Sequence, residues 1–298
     1  MKHCCFLGAV LCAWLMPSFA ETPEQPISSA AVVSNVPYSA IASLPFNEPD
    51  LRIAYGHEQS HYGLLWRARG ERATNQRPLV VFIHGGCWLS AYDIQHSNAL
   101  SSALADVGFA VWSLEYRRAG ASGGGWPTTL NDIRQALRAI EKLAIANLDF
   151  DGVVLVGHSA GGHLALLAGG DAMNSSASAG SALPVRALVG LAAIVDLERY
   201  GQGGNSCQSA VSKFMGGDLA TRRAEYQSAN PAEQRLTVPT FLLQGSEDHI
   251  VDPEQAHHAD ARTVLVPSAG HFDWLHPGSA AFGVLVKTLE KVSDNEQK

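Results

Sequence analysis

The sequence predicts an α/β protein: a mainly parallel central sheet flanked by helices, in one domain over residues 49–293. Three observations predict it. Short runs of Val, Ile and Leu, of the kind buried on both faces of a sheet, alternate with stretches of helical period. The segments richest in reactive side chains lie directly after such runs, where open parallel sheets place their ligands. At 298 residues, 46% hydrophobic and 16% charged, the chain carries enough apolar mass for one large core.

Taken in order, residues 1–20 stand apart. Lys2, the apolar stretch Cys4 to Met16 and the ending Pro17-Ser18-Phe19-Ala20 read as a secretory signal peptide cut after Ala20. The apolar run is too short to span a bilayer, and Leu11 before Cys12 argues against a lipid anchor. An exported protein without stable membrane insertion is expected. Residues 21–48 contain Pro and Ser without a period, and read as an exposed lead-in. Leu51 to Tyr55, Tyr62 to Ala68 and the wholly apolar Leu79 to Ile83 are the first three strands. A helix over 94–107 stops at Gly108, before the strand Phe109 to Leu114.

Pro127-Thr128-Thr129 opens the next helix, with Thr129 and Asp132 at capping-box spacing. Leu130, Ile133, Leu137, Ile140 and Ala144 mark its apolar stripe. Val153 to Val156 is a buried strand, and Ala160 to Ala168 an Ala- and Leu-rich helix stopped by Gly169-Gly170. Val185 to Ile194 is another strand. Residues 197–236 are more polar and hold five glycines, so they read as a small cap-like insertion over the site. Strands at Thr237 to Leu243 and 262–266, then a helix over 279–292, finish the chain.

Between the strand ending at Val156 and its helix stands Gly157-His158-Ser159-Ala160-Gly161, the G-x-S-x-G spacing of a nucleophile elbow. A strand that reverses into a helix within two residues holds its serine in a strained conformation with the hydroxyl raised above the sheet. A serine hydroxyl is a poor nucleophile until an imidazole takes its proton and an acid orients that imidazole. Asp248 is the predicted acid, with Glu247, Asp252 and Asp196 as rivals. His271, after Gly270, is the predicted base, with His249, His257, His258 and His276 read as surface or loop residues. Developing charge on a substrate carbonyl oxygen calls for backbone amides. Gly85 and Gly86 of His84-Gly85-Gly86, after the third strand, and Ala160 are placed in that oxyanion hole.

Trp88 and Cys87 are expected to line the substrate pocket, with Trp126, Phe272 and Trp274 as further apolar candidates. Cys4, Cys5 and Cys12 leave with the leader. Cys87 and Cys207 either pair, tying the insertion over the site, or remain two buried thiols. The formal net charge of −7 and the absence of a Lys/Arg run exclude a nucleic-acid partner. His158 and His163 do not form an HExxH pair, so no metal and no cofactor are expected. The expected partner is a small-molecule acyl compound.

His84-Gly85-Gly86-Cys87-Trp88, Glu115-Tyr116-Arg117, Gly125-Trp126-Pro127 with Asp132, and G-H-S-A-G-G-H over 157–163 together resemble the esterase and kynurenine-formamidase-like branch of the α/β-hydrolases. The chain is also similar to prolyl-oligopeptidase-type hydrolase domains. The resemblance covers residues 50–292. It implies an α/β-hydrolase fold, acyl transfer at Ser159 with Asp248 and His271, and an oxyanion hole of Gly85, Gly86 and Ala160. A carboxylic ester is the expected substrate, an aryl formamide or peptide amide the alternative. A silent hydrolase fold used only for binding is disfavoured, because all three reacting groups are present.

Overall fold

Eight strands among the described residues form one sheet in the order β1-β2-β4-β3-β5-β6-β7-β8. The computed structural model describes residue 1 and residues 33–70, 77–120, 123–140, 150, 152–170 and 184–294. The leader-like residues 2–20 and Ala144 lie outside these. The strands are β1 (Leu51–Ala54), β2 (Tyr62–Trp66), β3 (Leu79–Ile83), β4 (Val111–Leu114), β5 (Val153–His158), β6 (Val185–Leu191), β7 (Thr240–Gly245) and β8 (Ala261–Val266). β1 with β2 and β2 with β4 run antiparallel, and every other pairing is parallel. The helices are α1 (Tyr38–Ala42), α2 (Asn98–Asp106), α3 (Thr128–Arg138), α4 (Ala160–Gly169), α5 (Leu197–Tyr200), α6 (Ser206–Met215), α7 (Arg223–Ser228) and α8 (Ala280–Asp294).

β3 explains the layering. Its five residues are all buried, and they alternate between two cores. Leu79, Val81 and Ile83 join Leu130, Ile133 and Leu137 of α3 and Leu164 of α4. Val80 and Phe82 join Leu100 and Leu104 of α2 and Leu285 and Leu289 of α8. Helices therefore cover both faces, which is why the inner strands lack a polar alternation. β8, at the edge, keeps Arg262 to Leu265 exposed.

Two local expectations give way to tertiary partners. The helix expected over 94–107 opens as a 3₁₀ turn at Ile94–Ser97, with the Asp93 carboxylate accepting the Gln95 amide, before α2 begins. The capping box at Thr129 does not form. The N-cap of α3 is Pro127, with no side-chain cap. The Thr129 hydroxyl instead donates to the Arg117 carbonyl, and the Asp132 carboxylate binds the Arg117 guanidinium at 2.6 Å. Residues 197–236 fold as α5, α6, α7 and a 3₁₀ turn at Pro231–Glu233, and add no strand to the sheet.

Candidate active site

β5 delivers its last residue, His158, to the centre of the sheet's C-terminal edge, and the chain reverses at Ser159. Ser159 has φ 56° and ψ −120°, a left-handed conformation that costs a side-chain-bearing residue about 1–3 kcal/mol. It is held there by its amide, which donates to the Leu191 carbonyl at 2.8 Å, and by the packing of α4. A Cβ at Gly161 would lie 2.1 Å from the Ile83 carbonyl oxygen and 2.3 Å from that of His84. Only glycine allows α4 to sit this close to the backbone leaving β3.

Asp248 follows β7 and His271 follows β8. The His271 Nδ1 donates to Asp248 Oδ2 at 2.8 Å. Asp248 Oδ1 accepts the Ile250 and Val251 amides, both at 2.9 Å, and Oδ2 also accepts from Gln244 Nε2 at 3.1 Å. Burial alone would raise this carboxyl's pKa. The charge and hydrogen bond of His271, with the two amides, hold it below the usual carboxylate range instead. Of its rivals, Asp196 caps α5 and Asp252 accepts the Glu254 amide. His258 turns to the Gln234 carbonyl, and His276 accepts the Gly278 amide.

His158 also bears on His271. Its Nε2 donates to the His271 carbonyl oxygen at 2.9 Å, with the two ring centroids 4.6 Å apart. Burial and the nearby charge of His271 push the His158 pKa well below its usual value. His96 is pushed down to about 3, chiefly by burial. Both rings are thus neutral and leave room for a positive charge on His271.

The loop after β3 is the third component. Gly86, Cys87 and Trp88 have φ of 106°, 53° and 57°, so three successive residues turn through the left-handed region. A Cβ at Gly85 would sit 2.9 Å from His158 Nδ1 and 3.2 Å from Ser159 Cβ, so the loop's main chain runs against the serine. Beneath it, His84 Nδ1 donates to the Gly85 carbonyl at 2.7 Å, and Nε2 faces Glu115 Oε1 at 3.3 Å. Glu115 is buried and also accepts the Tyr116 and Ile94 amides. Burial would raise its pKa, but His84, Arg118 and the Tyr116 amide bring it below normal. The Tyr116 hydroxyl donates to the His84 carbonyl at 2.7 Å.

Cys87 is bonded to Cys207, the second residue of α6, with their Cα atoms 5.1 Å apart. The loop after β3 is therefore tied to the segment over 197–236, one of the two arrangements the sequence allowed. Trp88 corrects an expectation. It is fully buried, stacks on Phe214 at 4.8 Å and donates to His163, so it packs the core and does not line the cavity. The left-handed turn at Cys87 and Trp88 sends the two side chains different ways. Trp274 is likewise core, whereas Phe272 reaches the cavity.

These pieces meet around a cavity of about 220 Å³. Ser159, His271, His158 and Gly86 line it. One wall is aromatic (Tyr38, Tyr92, His96 and Phe272, in mutual ring contact through Tyr38), and Asn205, Ser206, Ile250 and the Cys87–Cys207 bond complete the lining. Gly85 and Ala160 lie beside Ser159 without lining the cavity. Ala160 opens α4, whose first amides lack an acceptor within the helix. Sequence reasoning missed Tyr38, Tyr92, His96 and Asn205. Only Asn205 left a signal: with Gln208 it forms the capping box that starts α6. Among the described residues, no group of three His, Cys, Asp or Glu side chains is placed to hold a metal ion.

The family model BD-FAE matches residues 69–262. Esterase LipC of Mycobacterium tuberculosis (strain ATCC 25618 / H37Rv) is 29% identical over 251 residues, covering 75% of this chain and 60% of its own length. The chain thus spans less than two thirds of that relative's length. The probable carboxylic ester hydrolase LipM of the same organism is 29% identical over 118 residues, 39% of this chain and 27% of its own. Among solved structures, esterase B from Lactobacillus Rhamnosis (HN001) superposes with a TM-score of 0.68 at 19% identity, covering 87% of this chain and 91% of that one. An arylesterase superposes with a TM-score of 0.65 at 18% identity, covering 86% and 88%.

Proposed function

Because the chain belongs to the BD-FAE family and has an α/β-hydrolase fold, we propose that it is a serine hydrolase that cleaves a carboxylic ester through an acyl-enzyme on Ser159. One observation carries this reading. His271, bonded to Asp248 at 2.8 Å, lines the same cavity as a serine strained at the end of the central strand.

With Nδ1 donating to the ionised Asp248, His271 keeps Nε2 free to accept the Ser159 proton. The serine oxygen then bonds to the ester carbonyl carbon, and the electron pair moves to the carbonyl oxygen. Amides of the Gly85–Gly86 loop and of Ala160 receive that charge; losing one such donor typically costs about 3 kcal/mol. Collapse breaks the bond to the alkoxide, which takes the proton from His271 and leaves as the alcohol. Water repeats the sequence to release the acid. Burial holds the neighbouring His158 and His96 neutral, so they add no repulsion when the imidazolium forms on His271.

The esterase names of LipC and esterase B favour an ester over an amide. The Cys87–Cys207 bond favours an oxidising compartment, in keeping with the leader-like residues 1–20. The test is turnover of short-chain p-nitrophenyl esters beside an aryl formamide, together with labelling by a fluorophosphonate. Ser159→Ala is expected to abolish ester turnover and labelling. Activity that survives this substitution would sink the assignment, and formamide turnover above ester turnover would replace the substrate class.

A further inference from the structure

Residues 33–42 precede the first strand and carry no motif, yet they are fastened beside the reacting groups. The Val33 amide donates to the Gly278 carbonyl at 3.2 Å. The buried Asp273 carboxylate accepts the Asn35 amide on Oδ2 and the Val36 amide on Oδ1, each at 2.7 Å. The same Oδ2 accepts the Gly270 amide at 3.1 Å. One carboxylate thus ties the N-terminal segment to the loop that presents His271. A Cβ at Gly270 would lie 2.4 Å from the Asn35 side-chain oxygen and 3.0 Å from Asn35 Cα, so the two segments are in direct contact. Ile41 completes the fastening by burying its side chain in the core between the sheet, α2 and α8.

What this docking delivers is Tyr38, the first residue of α1. Its ring meets Tyr92 edge-on at 5.7 Å, Phe272 edge-on at 5.6 Å and His96 at 6.0 Å. Tyr92 and His96 follow the Gly85–Gly86 loop, and Tyr92 packs on Gly86 so closely that a Cβ there would be 2.5 Å away. Phe272 follows His271. Tyr38 therefore closes the aromatic wall between the two loops that carry the chemistry. Its hydroxyl has no hydrogen-bond partner among the described residues, so the ring itself is the functional part.

We propose that Tyr38, held in place by the Asp273 clamp on Asn35 and Val36, is a specificity-determining residue. Its ring is the wall against which the apolar part of the ester lies, and it sets how long a chain the cavity accepts. This rests on the ester-hydrolase reading above. The test compares kcat/KM for p-nitrophenyl butyrate and octanoate in the wild type, Tyr38→Ala, Tyr38→Phe and Asp273→Asn. Removing the ring raises the octanoate-to-butyrate ratio by about fivefold or more, the scale on which apolar pockets discriminate methylenes. Tyr38→Phe keeps the wild-type ratio, and Asp273→Asn shifts it in the same direction as Tyr38→Ala.

Hydrogen exchange of residues 33–42 supplies a readout independent of turnover. It is slow in the wild type and accelerated in Asp273→Asn. A Tyr38→Ala variant that changes both esters by one common factor, or neither, overturns the proposal. So does unprotected exchange over 33–42 in the wild type. A wild type inert to both esters overturns the ester reading and the chain-length role with it, while the exchange data separately decide the docking.

Discussion

Replacing Cys207 with serine is expected to cost the protein a large part of its stability. Cys87 and Cys207 are 120 residues apart in sequence, so the bond closes a long loop in the unfolded chain. In the chain-entropy treatment, a loop of this length removes about 5 kcal/mol of unfolded-state entropy. Both side chains are buried, at 8% and 9% exposure, and serine is close to cysteine in size, so the loss falls mainly on the unfolded state. For a folded unit over Val32–Lys298, about 5 kcal/mol corresponds to a drop of about 9 °C in Tm. Urea unfolding read by tryptophan fluorescence, beside thermal melts, measures the difference. Cys207 is the residue to change, since Cys87 sits in the left-handed loop at φ 53° and its replacement would confound loop and crosslink. In protein made without residues 1–20, a stability difference under about 1 kcal/mol, with no free thiol after denaturation of the wild type, would refute the loop-entropy reasoning. Two free thiols would refute the bond.

Gly161→Ala places a methyl group 2.1 Å from one main-chain carbonyl and 2.3 Å from another, and neither can retreat. It is expected to destabilise by more than about 3 kcal/mol in thermal melts, at or beyond the usual range for overpacking. His158→Leu removes the donor to the His271 carbonyl; kcat is expected to fall by about tenfold or more with KM little changed, as misplaced groups do. His158→Gln, which restores a donor, is expected to recover most of it; equal losses in both variants would count against the positioning role. The Asp248 and Glu115 carboxyls are both held below their unfolded values. Their stabilisation is therefore complete above about pH 4 and lost as pH falls through the depressed folded values. Glu115→Gln is expected to lower Tm at pH 7 and to flatten the acid limb. A Tm that falls with acid as steeply as in the wild type would contradict this.

The parallel sheet was legible because strands buried on both faces leave unbroken apolar runs, as Leu79–Ile83 does. The reactive loops were legible because they follow such runs in a fixed order. Where the reading failed, distant partners decided. Thr129 and Asp132 have the spacing of a local cap, but Arg117 offers Asp132 a charge and Thr129 a carbonyl. Trp88 has the aromatic character of a pocket residue, but three successive left-handed residues turn it into the core. Tyr38 left no trace at all. Its position depends on two amides meeting a carboxylate 237 and 238 residues away, and no periodicity records such a contact.

Around Ser159 the main chain packs too closely for an added methyl group at Gly85 or Gly161, whereas the cavity's walls are side chains on separately anchored segments. Sequence change is therefore channelled. Libraries randomised at Gly85 or Gly161 would yield mostly unfolded protein. Libraries at Tyr38, Tyr92, Asn205, Ser206, Ile250 and Phe272 would sample new substrate ranges on an unaltered reaction centre. The same partition makes the rim, rather than the elbow, the place where divergence between relatives would register as a change of substrate.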